Sequence, residues 1–213
     1  MAGALQACWA VTTPQDVLAA RARAMQALYE RLEVPTDGVA EATELARRAM
    51  GGVDTAGRPL AAANTAVPAS GLPLADLWQA LTTLREHRGD GHVALLTTSG
   101  LTPVEAVVLF ATWQEGISQR FLQASRAIDD DTWEAGRAGL VERGWMDADG
   151  VTVPGAAWRQ ELENRTDELA SAPWEALGDA DTRRLFDLLL PMARAAAGAY
   201  PRPYELDVTF PEG

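Results

Sequence analysis

The chain has 213 residues, of which 47% are hydrophobic, 30 are acidic and 18 are basic, so its formal net charge is −12. This length and apolar content suffice for a globular core without disulfides or metal, and they exclude a disordered chain. The negative charge disfavours binding to nucleic acid and anionic lipid, and no apolar run reaches the length of a membrane span. The single cysteine and the lack of a secretory signal predict a cytoplasmic protein. The charge and the lack of a long apolar run predict that it binds neither DNA nor a membrane.

The first third of the chain predicts helices followed by a loop-rich stretch. Residues 13–16 (TPQD) have the residue types of a helix N-terminus, and the apolar residues that follow keep one face until Pro35. A second helix is predicted from Val39 to Met50. Glycine, proline and serine are frequent over residues 54–73, which predicts a loop and a segment boundary.

The next stretch predicts two helices separated by a turn. Apolar spacing favours a helix from Leu74 to Glu86 or His87. Gly89 and Gly91 interrupt the helical pattern, and Asp90 is placed to cap a short helix over residues 92–98.

The following elements have the order of a winged helix-turn-helix. A capping box at residues 102–105 opens one helix, and a run of three aspartates opens the next. An Asp-Gly pair between short β-prone segments is typical of a hairpin. The predicted elements are helices over 104–116, 131–143 and 154–169, with two short strands over 145–153.

These patterns predict a mainly α protein, a degenerate winged helix-turn-helix with a small β-hairpin wing and additional packed helices. We divide the chain into an N-terminal helical segment (1–72), a winged-helix-like domain (73–170) and a C-terminal helix with an extended arm (171–213). The arm from Tyr200 onwards is apolar enough that we expect it to lie on a partner or a second subunit.

Three segments carry a resemblance to a known family. The sequences GRPLAAANTAVP (57–68), LREHRGDGHVALL (84–96) and LVERGWMDADGVTVPGAAWRQELENRTDELASAPW (140–174) resemble the SalK-type helix-turn-helix family of actinobacteria, whose members are labelled as MarR-related regulators. Members of the usual length carry a further helical segment upstream of the part that begins this chain. The resemblance therefore implies a small partner subunit that supplies the missing N-terminal helices, as in the heterodimeric aziridine-forming cyclases of azinomycin-type biosynthesis.

That resemblance implies a cyclase that eliminates sulfate from an amino-sulfate substrate, free or attached to a carrier protein, and needs no cofactor. An amine must lose a proton as it attacks the neighbouring carbon, which requires a base at hydrogen-bond distance. Six ionisable groups, among them both histidines of the chain, fall within residues 85–92, so we assign Asp90, His92 and His87 as candidate bases. The structural alternatives are a helix cap for Asp90 and a charge near a helix C-terminus for His87.

Cationic groups are needed to stabilise the departing sulfate. Arg85 and Arg88 are the candidates, with solvated ion pairs as their structural alternative. Trp78 and Asn64 are further candidates for the wall of a substrate pocket, although packing is the ordinary role of such a tryptophan.

Other functions are less well supported by the sequence. The two histidines are five residues apart and there is a single thiol, so we predict no metal site, and no phosphate-binding glycine motif predicts a nucleotide cofactor. A MarR-like regulator or ligand sensor is the main alternative, and a non-catalytic binding module is the third. Against a regulator, the window 128–150 contains seven carboxylates and two arginines, whereas a DNA-reading surface is normally basic.

Overall fold

A computed structural model describes residues 7–114 and 118–197, and the arm predicted from Tyr200 lies outside them. No single helix among the described residues is both long and apolar enough to cross a membrane, and the bent pair α4–α5 passes that test by length and composition only when both helices are taken together. Ten helices have both ends within this part of the chain. They are α1 (Pro14–Arg31), α2 (Val39–Met50), α3 (Pro59–Thr65), α4 (Pro73–Thr98), α5 (Pro103–Trp113), α6 (Gln119–Arg126), α7 (Asp130–Glu142), α8 (Val153–Ala170), α9 (Ala172–Leu177) and α10 (Asp179–Ala196).

Three helix starts predicted from capping residues, at Thr13, Thr102 and Asp129, are confirmed. The hydroxyl of Thr13 accepts a hydrogen bond from the backbone three residues on (3.2 Å), and Asp129 caps α7 in the same way (2.8 Å). At α5 the backbone N–H of Thr102 also donates to Glu105 Oε2 (2.7 Å), which completes a capping box. Each bond spans three residues, so the local sequence suffices to specify it.

The predicted break near residue 90 is wrong. Helix α4 runs without interruption through Gly89 and Gly91, so Asp90 is an interior residue and not an N-cap. Each glycine costs about 1 kcal/mol relative to alanine in a helix. Tertiary packing offsets that cost, since His87, Asp90 and Leu95 are all buried.

The loop predicted over residues 54–73 contains one further helix, α3, which begins with Pro59 in its first turn. Proline there loses no helical hydrogen bond, because the first N–H groups of a helix have no partner within it. Helix α6 was also not predicted.

The β-hairpin wing is not formed among the described residues. One antiparallel bridge joins Met146 to Val151, with no strand on either side. The Asp147 carboxylate accepts from two backbone N–H groups of the turn (2.9 and 3.1 Å). Thr152 already caps α8, so a single residue, Val151, remains for the returning arm.

The described residues divide into two compact units. Unit 1 comprises residues 7–87 and 172–197, and unit 2 comprises 88–114 and 118–171. The boundary falls inside α4, whereas the sequence placed one at residue 72, and the C-terminal helices belong with the N-terminal ones.

Unit 1 is built around α2, which packs against α9 and α10. Gly52 allows this close approach, because a side chain there would meet the carbonyl oxygen of Ala172 at 2.5 Å. Helix α1 contributes no buried residue. The core of the unit includes Ala42, Leu45, Leu77, Leu84 and Leu185.

Unit 2 is built around α5, which packs against α6, α7 and α8. Gly136 lets α7 approach α5, since an added Cβ would lie 2.7 Å from a methyl carbon of Val104. The core comprises Val108, Leu109, Leu122, Trp133, Leu140 and Met146.

Candidate functional site

A cavity of about 560 Å³ in unit 2 brings together residues of the last turns of α4, of α5 and of α8. Among the described residues that line it, the charged ones are Arg88, Arg126, Arg159 and Glu163. Three guanidinium groups and one carboxylate give the lining a net charge of +2, in a chain whose net charge is −12. Positive charge in such a lining attracts anions.

Arg159 is the most buried of these cations, with 4% of its surface exposed. Its Nη1 lies 2.5 Å from Glu163 Oε1, one helical turn further along α8. Its guanidinium also lies over the rings of Phe110 and Trp113, at 5.4 and 4.9 Å from their centroids. A carboxylate and two aromatic faces together offset the cost of burying the charge.

Glu163 joins two of the arginines. Besides its contact with Arg159, it accepts a hydrogen bond from Arg88 Nη2 (2.6 Å), and Arg88 also donates to Asp167 (3.0 Å). Burial by itself would raise the pKa of Glu163, but the hydrogen bonds and charges of the two arginines outweigh burial and lower it. Glu163 is therefore ionised at neutral pH and holds both guanidinium groups in place.

His92 supplies a proton acceptor beside these charges. Its Nδ1 lies 3.0 Å from the hydroxyl oxygen of Thr166, and its ring lines the cavity. Burial lowers the pKa of His92, Glu163 opposes that shift, and Arg159 and Arg88 reinforce it. The imidazole is consequently neutral at pH 7 and able to accept a proton.

Most of the remaining lining of the cavity is apolar. Trp158 forms part of its wall and is held by a stacked contact with Trp145, whose ring centroid is 4.4 Å away. Further apolar lining residues are Val93, Leu96, Leu101, Val107, Leu109, Phe110 and Leu162. A ligand that fills this space would carry an apolar body as well as a charged group.

The structure brings together two of the sequence-predicted site residues, Arg88 and His92. Asp90 and His87 are buried and are not among the residues that line the cavity. The backbone carbonyl of His87 accepts from Arg58 Nη1 (2.5 Å). Arg85 is exposed and forms an ion pair with its neighbour Glu86.

Asn64 and Trp78 belong to unit 1 and are linked there by other side chains. Gln79 Nε2 donates to Asn64 Oδ1 (3.1 Å), and Gln79 Oε1 accepts from Arg21 Nη2 (2.5 Å). The Arg21 guanidinium lies over the Trp78 ring at 5.1 Å from its centroid. The residues predicted to form one site therefore belong to different units, since Asn64 and Trp78 are in unit 1 and Arg88 and His92 are in unit 2.

Four residues at or beside the cavity were not predicted from the sequence: Arg126, Arg159, Glu163 and Thr166. The spacing of Arg159 and Glu163 was visible as an oppositely charged pair four residues apart on a predicted helix. Such pairs usually lie on exposed helix faces, so the pattern alone does not indicate a site. In the structure Leu162 and Thr166 of the same helix are buried, so the partners of this face of α8 come from other helices and not from local spacing.

Helix α7, which a helix-turn-helix regulator would place against DNA, has an acidic exposed surface. Asp130, Asp131, Glu134 and Glu142 on α7 are exposed. The two arginines of this region have partners, because Arg137 donates to a backbone carbonyl (2.7 Å) and Arg143 pairs with Glu105 (3.2 Å). Within residues 7–114 and 118–197, no cluster of three histidine, cysteine or carboxylate side chains could hold a metal ion.

Comparison with known proteins gives one family. No curated protein and no solved structure matches the chain at significant similarity. The model of a helix-turn-helix family matches residues 1–201, which is most of the chain, and the chain therefore belongs to that helix-turn-helix family.

Proposed function

We propose that the protein is a cofactor-independent cyclase that forms an aziridine ring on a natural-product precursor by displacing a sulfate with the neighbouring amine. The observation that carries the proposal is the cavity of unit 2, where three arginines and the imidazole of His92 line one space within an acidic chain. The arginines suit a sulfate, and the imidazole suits the proton that the amine must lose.

In the proposed step, the lone pair of the neutral amine forms the N–C bond while the C–O bond breaks and its electron pair leaves with sulfate. The proton released by the ring nitrogen passes to His92. Arg88 and Arg126 stabilise the charge that develops on the leaving oxygens. Of the three bases that the sequence suggested, His92 is the one on the cavity wall, so the base is assigned to it and not to Asp90 or His87.

The energetic demand is compatible with such a site. An ammonium with a pKa near 10 is neutral in about one molecule in 10³ at pH 7, which costs about 4 kcal/mol. General-base catalysis supplies about 10²- to 10⁴-fold, and alignment of nucleophile, carbon and leaving oxygen supplies several kcal/mol more.

The apolar wall supports a substrate larger than the reacting group. A cavity of about 560 Å³ lies within the range that accommodates drug-sized ligands, whereas a two-carbon amino sulfate would leave much of it empty. We therefore propose a substrate with an apolar body that lies against Phe110 and Trp158.

The test uses 2-amino-2-phenylethyl sulfate as the probe and 2-aminoethyl sulfate as the comparison without an apolar body. Sulfate release is followed by ion chromatography and aziridine formation by mass spectrometry. We expect turnover of the phenyl probe, at least tenfold lower turnover in Arg88→Gln and Arg126→Gln, and unchanged turnover in Arg165→Gln, which removes an exposed arginine of the same unit. Equal loss in Arg165→Gln, or binding without sulfate release, would refute the assignment.

The proposal includes a small partner subunit. It is supported by α1, which has no buried residue, and by Trp9, Val11 and Val17 of unit 1, which expose large apolar surfaces. Co-expression with a neighbouring small open reading frame, followed by analytical ultracentrifugation, should give a 1:1 complex. A stable homodimer of the chain by itself would contradict it.

A DNA-binding regulator is the second candidate, because the chain belongs to a helix-turn-helix family. The exposed carboxylates of α7 and the engaged arginines, Arg137 and Arg143, weigh against it. A gel-shift series in increasing salt separates the two functions. Binding that weakens steeply with salt is the behaviour of a protein that contacts phosphates, and it would favour the regulator.

A further inference from the structure

We propose that Thr166 is a positioning residue that holds His92 in the tautomer with its proton on Nδ1, so that Nε2 is the basic nitrogen of the cavity. The catalytic consequence rests on the proposed function. The tautomer is a property of the protein itself and can be tested without turnover.

The hydroxyl of Thr166 has two neighbours. Its oxygen lies 2.7 Å from the carbonyl oxygen of Leu162 and 3.0 Å from His92 Nδ1. A carbonyl oxygen accepts and cannot donate, so the single hydroxyl proton must point to Leu162. The hydroxyl oxygen is then an acceptor towards the ring, and Nδ1 must carry the proton that it donates.

The opposite arrangement is disfavoured by the surroundings of Thr166. If the hydroxyl donated to Nδ1, its oxygen and the Leu162 carbonyl would face each other at 2.7 Å without a proton between them. Thr166 is completely buried, so no solvent could relieve that repulsion. Donation from a threonine hydroxyl to the carbonyl four residues earlier is also its ordinary arrangement in a helix.

The charges around the ring keep it neutral. Glu163, Arg159 and Arg88 are the charged groups that act on His92, and the two arginines oppose a positive charge on the imidazole. Burial acts in the same direction, and Glu163 opposes both. A neutral ring with its proton on Nδ1 presents a lone pair on Nε2, which is the group that can accept a proton from a bound amine.

Without the Thr166 oxygen, the other tautomer becomes available. In that form Nε2 carries the proton and cannot act as the base, so catalysis would lose the fraction of molecules in that state. Thr166→Val keeps the side-chain shape and removes the oxygen, whereas Thr166→Ser keeps the oxygen and is the matched control.

The direct test is long-range ¹H–¹⁵N NMR of the ¹⁵N-labelled full chain near pH 8. The chain has two histidines, so His92→Gln assigns the signals of His92 against those of His87. We expect a pyrrole-type shift for Nδ1 and a pyridine-type shift for Nε2 in the wild type and in Thr166→Ser, and the reverse pattern in Thr166→Val, because a buried Nδ1–H without an acceptor is disfavoured. A pyridine-type Nδ1 in the wild type overturns the proposal, as does a folded Thr166→Val with unchanged shifts.

The kinetic test separates this inference from the proposed function. With 2-amino-2-phenylethyl sulfate, Thr166→Val should lower kcat about 10- to 100-fold with little change in KM, and Thr166→Ser should stay within about threefold of the wild type. Absence of turnover in every variant, with the expected NMR shifts in the wild type, refutes the proposed function and leaves the tautomer standing. Altered shifts with an unchanged kcat overturn the positioning role. If Thr166→Val does not fold, the ¹⁵N shifts of His92 in the wild type test the tautomer by themselves.

Discussion

Replacement of Glu163 by glutamine gives the sharpest test of how the cavity is held together. The change removes the charge that faces Arg159 at 2.5 Å and Arg88 at 2.6 Å, and it preserves the size of the side chain. Arg159 is 96% buried, and removing one member of a buried ion pair typically costs 3–5 kcal/mol because the other charge is left uncompensated. The aromatic faces of Phe110 and Trp113 and the remaining amide oxygen offset part of the loss. We expect the free energy of unfolding to fall by about 2–4 kcal/mol.

The pH dependence of this loss follows from the lowered pKa of Glu163. A carboxyl group whose pKa is lowered in the folded state stabilises the protein above its unfolded pKa, and this stabilisation is lost as the pH falls through the folded value. The difference between wild type and Glu163→Gln should therefore be complete at pH 7 and shrink below the ordinary value of 4.5.

The same substitution should strengthen anion binding while it weakens folding. It raises the net charge of the cavity lining from +2 to +3, so the affinity for phenyl sulfate should rise about fivefold at low salt. Urea unfolding followed by circular dichroism measures the loss of stability, and isothermal titration calorimetry measures the affinity for phenyl sulfate. Glu161→Gln, an exposed glutamate on the same helix, should change the stability by less than about 0.5 kcal/mol. Equal effects of the two substitutions would show that the charge of Glu163 does not hold the cavity together.

Three further outcomes follow from the structure. The pKa of His92, measured by NMR titration, should lie below 6.5, because the ring is partly buried. Protonation of the ring in acid should therefore destabilise unit 2. A pKa above 6.5 would contradict the burial of the His92 ring. Gly155→Ala should lower the stability by more than 2 kcal/mol in urea, since the new Cβ would lie 2.2 Å from the carbonyl oxygen of Trp145. Thr102→Ala should cost about 1 kcal/mol by removing the cap of α5, and Thr102→Ser should restore most of it; equal stability of the two variants would argue against the cap.

The helical plan of this protein was predictable because helix signals are local. Thr13, Thr102 and Asp129 each bond to the backbone three residues later, so their sequence context specifies where a helix begins. The same local reasoning failed at Gly89 and Gly91, where a cost of about 1 kcal/mol per glycine is smaller than the gain from packing the residues around them. It also failed at residues 145–153, where the start of α8 leaves no room for a second strand.

Local sequence patterns were enough to predict the helical fold class, the helix starts at Thr13, Thr102 and Asp129, and a window of ionisable residues that contains Arg88 and His92. Which of those residues share a cavity depends on contacts between distant parts of the chain. Arg88 meets Glu163 across 75 positions, and His92 meets Thr166 across 74, so neither partner can be read from local spacing. Asp90 is likewise buried in unit 2 and does not line the cavity. The environment of a side chain depends on the elements packed around it and not on its neighbours in the chain.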